Sequence, residues 1–416
     1  MRKKTLRLLA LLLCLLLFSG SAAGDVTTVA TGYVAETVLY GQAMCPTLLP
    51  GSEDGSVVVR WAAMNNRPVV IHYGADDGSG VLGEDHRTEK AQSAYSAMLG
   101  LHVYSAKIQL EPGDYIYGLA EEGADMPERF YHLHWRTGES FRVVMSSDSH
   151  MYNWKEAALY DNAIISGSGA RDADMIIHTG DLNDNTKAPP YVLSVCSAHT
   201  RVVPTLAICG NHDVPEIIYA FFTPPNLDRQ TKDFWTVQNN ILFLGININE
   251  RNMEEHRRYL TQAITEHREG CDWTVLLIHY SMMSNGVHGK DQPVYNFREG
   301  LRDLIAEYDV DLVLSGHDHE YDRSYLIGAT DMVEGSGGSV VKKRPGETLY
   351  LSLPTAVGNK LYSDSREPVY PLAVEGPQTE RGYVTADFSS DGITFTAWCA
   401  GEDTDFIVDR FVLRRA

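Results

Sequence analysis

The stretch IIHTGDLNDN, Ile176 to Asn185, decides how this chain is read. An apolar run stops at Gly180-Asp181, and a second aspartate, Asp184, follows three residues on. Two carboxylates delivered at a strand end point to metal chemistry. Four more runs have the same form: FRVVMSS (141–147), VVPTLAIC (202–209), WTVLLIH (273–279) and VDLVLSG (310–316). They are nearly unbroken in apolar residues, as expected of strands covered on both faces. The helical stretches NWKEAALYDNAII, EEHRRYLTQAITEHRE and NFREGLRDLIAEY intervene, so the chain from about residue 140 onward reads as α/β.

Every one of these runs ends in a polar cluster. In order they are Asp148-Ser149-His150, Gly180-Asp181-Leu182-Asn183-Asp184, Gly210-Asn211-His212-Asp213, His279, and Gly316-His317-Asp318-His319. Carboxyl ends of strands are where open α/β sheets collect ligands, so strands can gather clusters that are far apart in sequence. Each cluster alone has an ordinary alternative. Asp148 or Asp213 can cap a helix or shape a turn, His279 can be a hydrogen-bonded core histidine, and GHDH can be a polar turn. It is the succession of five, each rich in oxygen and nitrogen donors, that carries the metal reading.

The donors narrow the ion. Carboxylates, imidazoles and an amide, without thiolate, suit Fe, Mn, Zn or similar divalent and trivalent ions. They are too many for one ion and about right for two, with Asp181 the natural bridge. Two ions about 3.5–4 Å apart share a hydroxide, lower its pKa toward about 7 and clamp both oxygens of an in-line displacement. That is phosphoester chemistry.

Residues 25 to about 137 read differently. SVVVRWAA, PVVIHYG, LHVYSAKIQL, DYIYGLAE and RFYHLHWRT are short, rich in β-branched and aromatic residues, and separated by turn signals such as EPGD. They suggest a smaller all-β sandwich. Ahead of them, MRKK, the apolar LRLLALLLCLLLFSG and the small residues SAAG form the pattern of a signal peptide over residues 1–24, with an uncleaved anchor as the alternative. The expectation is a secreted or cell-surface protein with no stable membrane span after cleavage. Its net charge of −20 argues against a nucleic-acid polymer as partner, while leaving a small phosphorylated substrate open. Cys45, Cys196, Cys209, Cys271 and Cys399 are widely spaced and define no disulfide framework. Oligomeric state is not legible.

The five clusters resemble, in order, the signature of the calcineurin-like metallophosphoesterases: D-x-H, G-D-x-x-D, G-N-H-[DE], H and G-H-x-H. With the leading sandwich, the chain is similar to the purple acid phosphatase branch, which has a fibronectin-III-like domain ahead of a four-layer α/β/β/α catalytic domain. The resemblance implies a first ion on Asp148, His150, Asp181 and His319, and a second on Asp181, Asn211, His279 and His317. It implies His212 as general acid toward the departing alkoxide and gives Asp184 the task of holding His212 protonated and aimed. His288 and Arg323 are weaker candidates for substrate contacts, with a surface-loop histidine and an arginine paired to an acidic neighbour as the alternatives. Two departures stand out. Purple acid phosphatases carry tyrosine, the source of their colour, where this chain has Asp184, and usually lack the histidine found here as His150. The expected activity is phosphomonoester hydrolysis. A phosphodiesterase for nucleotides or lipid headgroups and a binding protein with a vestigial metal site are the alternatives.

Overall fold

The computed structural model describes residues 44–416 apart from 64–65, 98, 137, 184–197, 359, 363–369, 378 and 402–403. The expected signal peptide, Cys196 and Asp184 lie outside the described residues. No helix among those described is long and apolar enough to cross a membrane.

Two four-stranded antiparallel sheets come first. One orders Met44–Pro50, Ser56–Ala63, Leu101–Gln109 and Gln92–Ser96, and the other Arg87–Lys90, Val69–Ala75, Gly113–Glu121 and Tyr131–Trp135. Alternation along each strand turns Val57, Val59, Trp61, Ile71, Tyr73, Tyr104 and Tyr117 into a shared core. The outer face is used as well. Leu49 and Ala62 pack with Ile217, Ile218, Phe221 and Cys209 of the following unit, and Arg60 Nε donates to the Ala220 carbonyl at 3.0 Å.

That following unit is built on seven strands that matter for function. These are β1 (Phe141–Ser146), β2 (Met175–His178), β3 (Thr205–Ala207), β4 (Ile241–Ile246), β5 (Trp273–Ile278), β6 (Leu312–Ser315) and β7 (Leu349–Ser352). One seven-stranded sheet runs β3-β2-β1 and continues through Gly382–Ser389, Gly392–Cys399, Phe406–Arg415 and Val340–Lys343. The other runs from Phe234–Gln238 through β4-β5-β6-β7 to Asp322–Ser324 and Leu372–Glu375. Within each sheet the named strands are mutually parallel.

The apolar runs are explained by what covers them. Val143, Met145, Ile177, Phe243, Val275, Leu277 and Leu314 fill the space between the sheets. Their alternates face helices: Val144 and Ile176 meet α1 (Trp154–Asp161), while Leu242, Leu244, Leu276 and Ile278 meet α2 (Met253–His267) and α3 (Gln292–Glu307). Helix α2 buries His256, Tyr259, Leu260, Ala263 and Ile264, a stripe at helical spacing, and Asn252 caps its first turn. The result is the four-layer α/β/β/α arrangement. Each fully buried Leu or Phe in it contributes about 1.5–3 kcal/mol of transfer free energy.

Candidate metal centre

Parallel strands release their carboxyl ends on one edge, and the polar clusters meet there. After β1 the chain turns through Asp148 and His150, which take positive φ of 50° and 39°. Their amides are tied to the neighbouring loop, Asp148 N–H donating to Gly180 O at 3.0 Å and His150 N–H to Asp181 O at 3.1 Å. Asp181, His317 and His319 are also left-handed, at 55°, 74° and 62°. Non-glycine residues held in this region cost stability and gather where function requires them.

Glycines make the approach possible. A Cβ on Gly210 would lie 2.0 Å from Asp181 Oδ1, and one on Gly316 would lie 1.8 Å from Ser147 Oγ. Asp213 then staples the second and third clusters, accepting from the amides of Asp181 (2.7 Å), Leu182 (3.3 Å), Asn183 (3.4 Å) and Gly210 (2.9 Å). Burial, with Asp181 nearby, pushes its carboxyl up to about 7.

At the centre are two carboxylate oxygens. Asp148 Oδ1 is buried without a hydrogen-bond partner among the described residues, and three imidazole Nε2 atoms surround it: His319 at 3.3 Å, His279 at 3.9 Å and His150 at 4.0 Å. Asp181 Oδ2 lies 3.4 Å from His279 Nε2 and 3.5 Å from His150 Nε2. His279 Nδ1 donates to Thr179 O at 2.8 Å, and His319 Nδ1 donates to the Lys360 carbonyl. Each bond fixes the proton on Nδ1 and leaves Nε2 to face the carboxylates, as metal-ligating histidines require. Asn211 Oδ1 stands 3.0 Å from His279 Nε2.

Electrostatics agree with cation binding. Burial raises Asp148 and Asp181, but the surrounding histidines hold both carboxyls well below their usual range. Burial lowers His150 to about 4 against the pull of Asp181 and Asp148, which keeps its imidazole neutral. His279 is also opposed by burial, yet Asp181 and Asp148 carry it up to about 9, so a proton there occupies the place a cation would take. A buried carboxylate oxygen with no hydrogen-bond partner among the described residues, faced by three imidazole Nε2 atoms, fits a metal centre.

The structure brings together most of the residues singled out by sequence. Asp148, His150 and His319 form one cluster whose donor atoms lie within 4.8 Å of one another, and Asp148, Asp181 and His279 form another. His317 sits differently: its ring lies 4.3 Å from that of His288, and its nitrogen groups with a ring nitrogen of His288 and a carboxylate oxygen of Asp291. His288 is half-buried at this edge, with Nδ1 on Asp291 Oδ2 at 2.9 Å. His212 donates its amide to Asp181 Oδ1 at 2.8 Å and presents its ring edge-on to His150, 5.0 Å between centroids.

Arg323 is a correction. Its guanidinium is buried, bonds Asp409 Oδ2 through Nε at 2.7 Å and lies over the Phe411 ring at 4.3 Å. It clamps one sheet to the other and is not a substrate contact. Sequence reasoning also missed two residues at the site. Lys360 and Tyr362 belong to the loop after β7, a further strand end that escaped notice because no His or Asp follows closely on its apolar run.

Comparison with known proteins matches this geometry. Residues 141–321 match the calcineurin-like phosphoesterase family. The chain is a metal-dependent phosphoester hydrolase. The chain is 27% identical over 205 residues to the probable glycerophosphodiester phosphodiesterase of Arcobacter nitrofigilis, covering 42% of this chain and 71% of that protein. Its fold follows that of a purple acid phosphatase from yellow lupin (Lupinus luteus) seeds, with a TM-score of 0.73 at 16% identity over 90% of this chain and 75% of that one.

Proposed function

We propose that the chain is an exported phosphomonoesterase acting on small phosphorylated molecules, with its sandwich (residues 25–137) a fibronectin-III-like domain ahead of the catalytic unit (138–416). The observation that carries the hydrolase reading is the ring of His150, His279 and His319 around Asp148 Oδ1 and Asp181 Oδ2. Two cations, Fe, Mn or Zn, would be held there by Asp148, His150, Asp181, Asn211, His279, His317 and His319, and when bound they supply Lewis acidity and an activated water.

The chain's own groups do the rest. Carbonyls of Thr179 and Lys360 hold the imidazoles in register. His212, beside His150, delivers a proton to the leaving oxygen, with Asp184 as its proposed orienting partner. His288, aimed by Asp291, donates to a phosphate oxygen. Export is supported by the basic-then-apolar leader MRKKTLRLLALLLCLLLFSG, and N-terminal sequencing of the processed protein checks it.

A diester substrate is the second reading, favoured by the probable glycerophosphodiester phosphodiesterase among the relatives. Protein reconstituted in turn with Mn, Fe, Zn and Co should hydrolyse p-nitrophenyl phosphate with a kcat/KM at least about tenfold above that for bis(p-nitrophenyl) phosphate. The opposite order selects the diester reading, and turnover of neither ester with any metal sinks both. His212→Ala should lose roughly 10²- to 10⁴-fold on an alkyl phosphate, whose leaving group needs the proton.

A further inference from the structure

Strand β2 ends in a histidine, His178, that belongs to none of the metal-binding clusters. It shares the α1-facing side of the strand with Ile176, and its ring is buried 5.8 Å from that of Tyr160. Both ring nitrogens are engaged. Nδ1 accepts from the Gly180 amide at 3.2 Å, and Nε2 meets Ser149 Oγ at 3.0 Å. Ser149 sends its single hydroxyl proton to Leu182 O at 3.0 Å, so toward His178 it accepts. The two contacts require the same tautomer, with the proton on Nε2 and the lone pair on Nδ1.

Each contact leads to the metal centre. The Gly180 N–H and the Thr179 carbonyl are two ends of one peptide plane, and that carbonyl receives His279 Nδ1–H at 2.8 Å. A peptide plane turns as one body, so an acceptor on its N–H end fixes the direction of its carbonyl. Gly180, at a φ of +106°, supplies no side chain to resist a twist there. On the other branch, Ser149 stands between Asp148 and His150, and its bond to Leu182 O reaches the residue after Asp181. One buried ring therefore touches the first two ligand loops directly, and through a peptide plane it reaches the histidine that follows β5.

We propose that His178 is a positioning residue of the metal centre. Its Nδ1 orients the Thr179–Gly180 peptide that aims His279, and its Nε2–H ties the loop of Asp148 and His150 to the same frame. It acts only through those ligands and touches no substrate. The inference rests on the metal-centre reading and holds whichever ester is cleaved.

Metal-free wild type, His178→Asn, His178→Gln and Ser149→Ala are to be compared for Mn binding by calorimetry and for urea unfolding. Asparagine places an amide oxygen near the position of Nδ1, whereas glutamine reaches toward that of Nε2. His178→Gln should therefore weaken Mn binding by about ten- to a hundredfold, the range for groups that orient a ligating histidine. Its turnover at limiting Mn should recover as Mn is raised. His178→Asn and Ser149→Ala should each lose less, within about fivefold. The double variant should lose no more than either alone, because both changes remove the same bond. Nitrogen NMR of metal-free wild type, which needs no variant to fold, should find His178 protonated on Nε2. The opposite tautomer, equal Mn affinity in wild type and His178→Gln, or equal losses in the Gln and Asn variants overturns the assignment. Wild type that takes up no Mn overturns the metal-centre reading itself, a result distinct from wild type and His178→Gln binding Mn equally.

Discussion

The two β-rich regions use histidine in opposite ways. In the N-terminal sandwich His132 pairs with Asp76 at 2.8 Å, His134 pairs with Asp114, and His72 stacks on His86 at 5.0 Å. Each pair stays within the sandwich. In the larger unit, His150, His279 and His319 come from separate segments and converge on Asp148, the first two also on Asp181. Strand direction makes the difference. Antiparallel hairpins send successive turns to opposite ends of the sheet, whereas parallel strands send every carboxyl end to one edge. A site can collect only where chain ends collect.

The sharpest way to break this contrast is Asp181→Asn, which keeps the shape and removes the shared charge. It should lower kcat/KM about a thousandfold or more and reduce bound metal in elemental analysis. Arg323→Ala comes next, with its effect on stability instead of catalysis. Breaking a buried ion pair should cost about 3–5 kcal/mol in urea unfolding, with KM for the monoester within about twofold of wild type.

A smaller effect is expected at His256, which lies on α2 with Nδ1 on Asp233 Oδ2 at 2.7 Å. Burial lowers this imidazole, but the Asp233 hydrogen bond and charge outweigh burial and raise it above its ordinary value. A raised folded-state value means that the contribution is complete below the unfolded value of about 6.5 and is lost as pH climbs through the folded one. The gap in urea midpoint between wild type and His256→Asn should therefore be widest near about pH 5.5 and close on the alkaline side. Least of all, His132→Ala in the sandwich should change stability by no more than about 0.5 kcal/mol and leave turnover intact.

Much of this was legible in the sequence, for a physical reason. A strand buried on both faces must be apolar along its length, so its polar end is conspicuous, and Asp148, Asp181, His279 and His319 each follow directly on such a run. Legibility stopped where a role depends on distant partners. Arg323 reads as a cation beside GHDHEYD, but its carboxylate, Asp409, lies 86 residues away on a strand that carries no motif. Lys360 belongs to no motif in the sequence, and only the fold shows its carbonyl meeting His319. The orientation of His317 was equally hidden, because it depends on packing against Tyr280, 4.8 Å away, and on the His288–Asp291 pair.

Strand β1 leads into Asp148 and His150, and its antiparallel neighbour is Gly382–Ser389, reached through pairs such as Val144 with Thr385. Arg142 and Asp387, 245 residues apart, close the same junction at 2.7 Å. This separation sets an order of assembly. The sandwich closes through contacts such as Ser56–Ala63 with Leu101–Gln109, which need only the first third of the chain. The platform under the first two metal-binding residues stays half-built until nearly the whole polypeptide is available, and contacts so distant in sequence form slowly. Pulse-labelled hydrogen exchange during refolding should find the sandwich amides protected before those of β1. On this order of assembly the candidate metal centre is completed last, when the chain has finished folding.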